Sequence, residues 1–158
     1  MRFSTRSWSL SLLSGVLATA FLAATPLAAQ RPRPEAVGSM SDLMSKILYP
    51  ASDSILYIES RTPENDFQWN QLVANAMLVA ESANLLMMPS RAVDQGQWMR
   101  DTKLMLDVGK KAYKAALERD VPALIALNEE MIQSCVVCHK RYRPDYGKNY
   151  KKFPPPPP

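Results

Sequence analysis

The chain is poor in most of the residues that build metal and catalytic sites. Among 158 residues there are two cysteines and one histidine. A single histidine leaves no second imidazole for a multi-histidine metal site or an acid–base relay. Two thiols and one imidazole fall one donor short of the four N/S ligands of a structural zinc centre, and no second cluster exists. Glycine is also scarce, at five residues, against plentiful alanine, leucine and methionine, which favours helix over sheet. No strand-like alternation and no internal repeat are found. After the N-terminal segment no further apolar run is long enough to span a membrane.

The scarce residues stand together, as Cys135-Val136-Val137-Cys138-His139. A C-x-x-C-H run reads as an attachment site for c-type haem. Two thiols add to the two vinyl groups of the macrocycle, and the next residue places an imidazole nitrogen on the iron. On a helix Cys135, Cys138 and His139 occupy i, i+3 and i+4 and share one face. Three other readings stand beside this one. A thioredoxin-like pair needs a neighbouring βαβ pattern, which is missing. A zinc site lacks its fourth ligand. A plain disulfide leaves the histidine unexplained.

Residues 1–29 read as a secretory signal. Arg2 and Arg6 form a positive start, Leu10 to Ala24 an apolar stretch, and Thr25-Pro26-Leu27-Ala28-Ala29-Gln30 a small-residue exit cut after Ala29. A retained anchor is the alternative, and the apolar run is short for one. Export suits a protein whose haem is attached outside the cytoplasm, so a periplasmic location is expected. Cleavage removes Arg2 and Arg6 from 19 basic residues, leaving 17 against 15 acidic ones. Two haem propionates would bring that near neutrality, so the basic pI of about 9.1 carries no argument for nucleic-acid binding.

Residues 30–38 form a proline-punctuated leader. Four amphipathic segments follow within 39–146. The first starts at the capping signature Ser39-Met40-Ser41-Asp42 and carries Met40, Leu43, Met44, Ile47, Leu48, Ala51, Ile55 and Ile58 on one stripe, with a kink expected near Tyr49 because of Pro50. The second, capped by Asp66, runs to Met88 and faces inward through Trp69, Leu72, Val73, Ala76, Met77, Ala80, Ala83, Leu86 and Met87. The third, from Gln97 to Arg119, faces inward through Trp98, Thr102, Met105, Val108, Ala112, Ala115 and Ala116, with Lys103, Lys110, Lys111 and Lys114 outside. The fourth is capped by Asp120, has Pro122 in its first turn, and faces inward through Leu124, Leu127, Met131, Cys135, Cys138 and Tyr142. The fold class expected is all-α, an antiparallel four-helix bundle with the haem held from the last helix. Residues 147–158 are a basic segment ending in five prolines, Pro154 to Pro158, read as a solvated tail.

A C-x-x-C-H near the C-terminus, on the last helix of such a bundle, resembles the class II cytochromes c, the cytochrome c′ and cytochrome c556 group. The ending Cys135-Val-Val-Cys138-His139-Lys-Arg-Tyr142-Arg143 is similar to that group's C-x-x-C-H-x-x-[YF]-R. The resemblance spans Ser39 to Arg143. It implies that one haem c is bound through Cys135 and Cys138, that His139 is the proximal iron ligand, and that Arg143 lies close to the haem and that imidazole. In cytochromes c556 a methionine of the first helix is the distal ligand, while cytochromes c′ leave that position open. Leu43-Met44 looks like the ligating form, with Met40 one turn earlier as the rival. Either methionine is also ordinary core filler.

The implied function is single-electron carriage through His/Met-ligated haem. A thioether sulfur on iron raises the potential. The alternative is a five-coordinate protein that binds nitric oxide or carbon monoxide, and a third reading is a CxxC interaction module without haem. No enzymatic activity is expected, since the one histidine is used on iron. Lys140, Arg141, Arg143, Lys148, Lys151 and Lys152 form a basic cluster that suits acidic redox partners. No nucleic acid and no membrane span of the mature chain are expected. The resemblance leaves a homodimer open.

Overall fold

The computed structural model describes residues 34–145, so the expected signal (1–29) and tail (147–158) lie outside the described residues. The described elements are α1 (Met40–Asp42), a π turn (Leu43–Leu48), α2 (Tyr49–Leu56), α3 (Asp66–Leu86), α4 (Gln97–Leu117), α5 (Val121–Ala126) and α6 (Asn128–Tyr142). α1, the π turn and α2 follow one another without a break, and α5 leads into α6 after Leu127. The described residues are thus all-helical, with four helical arms and no strand among them.

Local chemistry starts the first arm where the sequence predicts. Ser39 Oγ accepts from the Asp42 amide at 3.1 Å and the Asp42 carboxylate accepts from the Ser39 amide at 3.1 Å, a reciprocal capping box. Lys46 and Ser39 hold the Asp42 carboxyl down to about 2. Pro50 acts differently from a simple kink. Its ring crowds the carbonyl four residues back and it has no N–H to give. The turn ahead of it widens instead, with the Tyr49 amide donating to the Met44 carbonyl five residues earlier. Pro50 then falls in the first turn of α2, where proline costs least. The buried series Leu43, Leu48, Ala51, Ile55 and Ile58 takes one step of five across the π turn and keeps facing the core.

α3 corrects two expectations. Its cap is Asn65, whose Oδ1 accepts from the Gln68 amide at 3.0 Å; Asp66 is already helical and takes the Arg119 guanidinium at 2.7 Å. Met77 points outward, 45% exposed, while Val79 is buried. α3 packs on both α2 and α4, so its buried arc is wide and swings toward Val79 and Ser82. The α3–α4 seam is antiparallel, with Trp98 Nε1 donating to the Leu86 carbonyl at 2.8 Å near one end and Arg119 meeting Asp66 at the other. Midway, Gly109 lies so close to α3 that a Cβ there would sit 2.8 Å from the Ala80 amide nitrogen. Ala76, Ala80, Ala83, Ala112 and Ala116 are buried along the same two helices.

The corner after α4 is made by Arg119 at φ 53°, in the left-handed region, with the Asp120 amide donating to the Ala115 carbonyl at 2.9 Å. Asp120 then caps α5 through the Ala123 amide at 2.9 Å, as the sequence predicts. The last arm is not one uniform helix. At Leu127 the chain tightens, its amide donating to Leu124 three residues back, and Asn128 Nδ2 reaches the Leu56 carbonyl at 3.1 Å. Leu124 and Met131 are fully buried and hold this arm against the rest. Against the expectation of no further apolar run long enough to span a membrane, Val121–Tyr142 is long and apolar enough by length and composition, with an 18-residue window of mean hydropathy 1.3 that is 22% buried.

Candidate functional site

The site is assembled on α6. Met131 and Ser134 are buried, and from Cys135 through His139 every side chain is half-buried. Helical phase explains this, since Met131, Ser134 and Cys138 follow at steps of three and four on the core-facing side. Ser134 Oγ donates to the Met131 carbonyl at 2.7 Å and lies 4.0 Å from Cys135 Sγ. Both cysteines are free thiols, and Cys138 packs against the core cluster. Burial pushes the Cys135 thiol up. Burial, with the Asp101 and Cys135 charges added, pushes Cys138 up to about 11. Burial also lowers His139 from its ordinary range, helped by the Arg143 charge, which keeps the imidazole neutral and able to donate a lone pair.

A shallow cleft of about 190 Å³ is lined by Val136, His139, Lys140 and Arg143. Arg143 itself is exposed at the end of α6 and its charge is felt at His139, so these two expected site residues are brought together. Met44 and Met40 are half-buried and packed against the core. The π turn that carries Met44 packs chiefly on α3 rather than α6. Cys135, Cys138 and His139 therefore share α6, while Met44 belongs to a different seam.

Two residues of the site escape the sequence reading. Asp94 Oδ2 accepts from the Tyr142 hydroxyl at 2.6 Å, and its Oδ1 accepts from the Gly96 and Trp98 amides at 2.8 and 3.1 Å. The carboxylate thereby caps the start of α4 and clamps the end of α6. Tyr142 also meets Trp98 edge-to-face at 4.9 Å. The Tyr142 hydroxyl bond, with the backbone amides, lowers Asp94, while loss of hydration and that same bond push Tyr142 up to about 12. An acidic residue just ahead of an apolar helix was the available signal for Asp94. The second residue is Asp101, buried in α4 at 4% exposure. Its Oδ1 accepts from Gln97 Nε2, its Oδ2 has no hydrogen-bond partner, and Arg141 Nε lies 4.0 Å from that oxygen. The adjacent Thr102 Oγ1 is buried without a partner as well. Asp101 follows Trp98 by one turn, which is the signal that places it inward.

The donor set fits a haem of the c type in kind: two shielded thiols one turn apart and a neutral imidazole beside the second. No three His, Cys, Asp or Glu side chains converge on one point among the described residues, as a zinc ion would require. Haem makes no such demand, because its thioethers form at the rim. The cleft beside His139 is smaller than the ~300–1,000 Å³ of typical ligand pockets, so seating a macrocycle requires side chains to move apart. No protein-family model, no curated protein and no solved structure matches the chain.

Proposed function

We propose that the chain is an exported c-type cytochrome that carries single electrons through one haem c. The observation that carries this reading is the pentad's phase on α6: both thiols and the histidine lie half-buried within one turn of each other on that helix. In this reading Cys135 and Cys138 form the thioethers, His139 gives the proximal nitrogen, and Met44 the distal sulfur. Bound haem supplies a one-electron couple. The chain's own residues do the rest. Neutral His139 presents a lone pair without first losing a proton. Met131 and the Tyr142–Asp94 clamp fix α6 near its two ends, and Leu124 fixes α5 ahead of it. A rigid ligand-bearing helix keeps reorganisation small during electron exchange. Lys140, Arg141 and Arg143 are exposed at its end, where they suit an acidic partner.

The thiol environment argues against a dithiol switch. Redox-active CxxC pairs work as thiolates and sit where the thiol pKa is lowered. Here both thiols are pushed the other way, Cys138 to about 11. A second reading has its own support. Because the Met44-bearing turn packs on α3, a five-coordinate site open to nitric oxide or carbon monoxide is the alternative.

The optical spectrum separates the two. With Met44 bound, the ferric protein is low-spin, and Met44→Ala converts it to a high-spin form that takes up carbon monoxide on reduction. A wild-type protein already high-spin and avid for carbon monoxide sinks the Met44 assignment. A low-spin spectrum unchanged in Met44→Ala points to Met40 or another ligand.

A further inference from the structure

Asp101 is a buried charged group with one carboxylate oxygen unpartnered. Buried carboxylates are normally fully hydrogen-bonded or ion-paired, because an uncompensated charge inside a protein costs several kcal/mol. Asp101 keeps one oxygen bonded to Gln97 and leaves the other without a donor, with Arg141 at the outer limit of an ion pair, 4.0 Å. A side chain in this state is more often doing something than merely tolerated.

Its place in the fold says what it faces. α4 and α6 run antiparallel, as the Trp98–Tyr142 contact and the Lys111–Glu130 pair at 2.7 Å show. Between those two crossings Asp101 stands opposite the Cys138–Arg141 turn. The two ends of the Asp101–Arg141 pair differ sharply in solvent access. The aspartate side chain is 6% exposed and the guanidinium side chain 59%. Water and salt screen the exposed positive end far more than the buried negative one, so the pair presents a net negative field to the interior.

We propose that Asp101 is a tuning residue for the haem joined at Cys138, its buried carboxylate stabilising the ferric over the ferrous state and lowering the reduction potential, with Arg141 partly offsetting it. This rests on the haem reading above and extends it. One-electron reduction removes a unit of positive charge from the centre. A fixed negative charge nearby disfavours that step, whichever redox protein supplies the electron.

The test is a spectroelectrochemical titration of the full chain matured with haem, as wild type, Asp101→Asn and Arg141→Gln. Covalent haem in each is first established by intact mass. Asp101→Asn should raise the ferrous-to-ferric ratio at a fixed ambient potential about tenfold, the size expected of one poorly screened charge. Arg141→Gln should lower the ratio by a smaller factor, in the wild type and in the Asp101→Asn background alike. Should Asp101→Asn fail to fold, Asp101→Ser replaces it, with the same upward shift expected. Haem-loaded variants whose ratios stay within about twofold of wild type, or an upward shift in Arg141→Gln, overturn the tuning role and leave the haem reading standing. A wild-type protein without covalent haem overturns both.

Discussion

The two seams of α4 are built on opposite principles. Toward α3 the surfaces are small and closed. Ala80 and Gly109 meet with no room for a methyl group, and Trp98 spends its indole N–H on a backbone carbonyl. Toward α6 the surfaces are larger and unfinished. Asp101 and Thr102 keep buried polar atoms without partners, and α6 buries only Met131 and Ser134 within its own span. The first seam is complete as polypeptide. The second is left incomplete as polypeptide, and Cys138 packs beside it.

That contrast can be broken by substitution. In haem-free protein Met131→Ala should cost about 3 kcal/mol, as for other fully buried large side chains, because Met131 anchors α6 from inside the core. Gly109→Ala should cost about 2 kcal/mol despite alanine's better helix propensity, since the added methyl meets Ala80 backbone, which cannot rotate aside. Val136→Ala on the open seam, by contrast, should cost less than about 1 kcal/mol without haem, because Val136 is only half-buried. Denaturant unfolding measures all three. A Val136→Ala cost equal to that of Gly109→Ala would erase the distinction between the seams.

The clamp at the end of α6 gives a pH signature. Asp94 is lowered from 3.8, so its contribution is present above that value and is lost as pH falls through the folded value. Tyr142 is raised from 10.0 to about 12, so its contribution holds below pH 10 and is lost as pH rises through about 12. Melting temperature against pH should fall at both ends in the wild type, with both slopes reduced in Tyr142→Phe. Unchanged slopes would remove Tyr142–Asp94 as a clamp. The smallest effect is expected at Lys111, whose pair with Glu130 is exposed: Lys111→Ala should cost about 0.5 kcal/mol or less.

Helix number, the capping residues Ser39 and Asp120, and the inward face of α4 are legible in the sequence because each rests on local periodicity or one side chain's reach. Trp98, Thr102, Met105, Val108 and Ala112 are buried as their spacing predicts. What escapes is set by neighbours. Met77 and Val79 trade places because α3 is gripped from two sides. The π turn ahead of Pro50 is hidden because proline says where a hydrogen bond is lost and not how the helix absorbs the loss. Asp94 and Asp101 are unremarkable as acidic residues in a row of helices. Only the register of α4 on α6 brings one to Tyr142 and the other opposite Cys138. The pentad is the reverse case. Its residue types and spacing are plain in the chain, and the fold adds their half-burial and raised thiol pKa values.

A haem held by Cys135 and Cys138 through thioethers stays on the polypeptide when the protein is denatured. The full chain should be produced in a host that matures c-type cytochromes, denatured, and analysed by intact mass together with haem staining on a denaturing gel. One haem that survives denaturation in the wild type and is lost in the Cys135→Ala, Cys138→Ala double variant is the expected result. A wild-type chain at its bare polypeptide mass, with both thiols open to alkylation, would contradict the account.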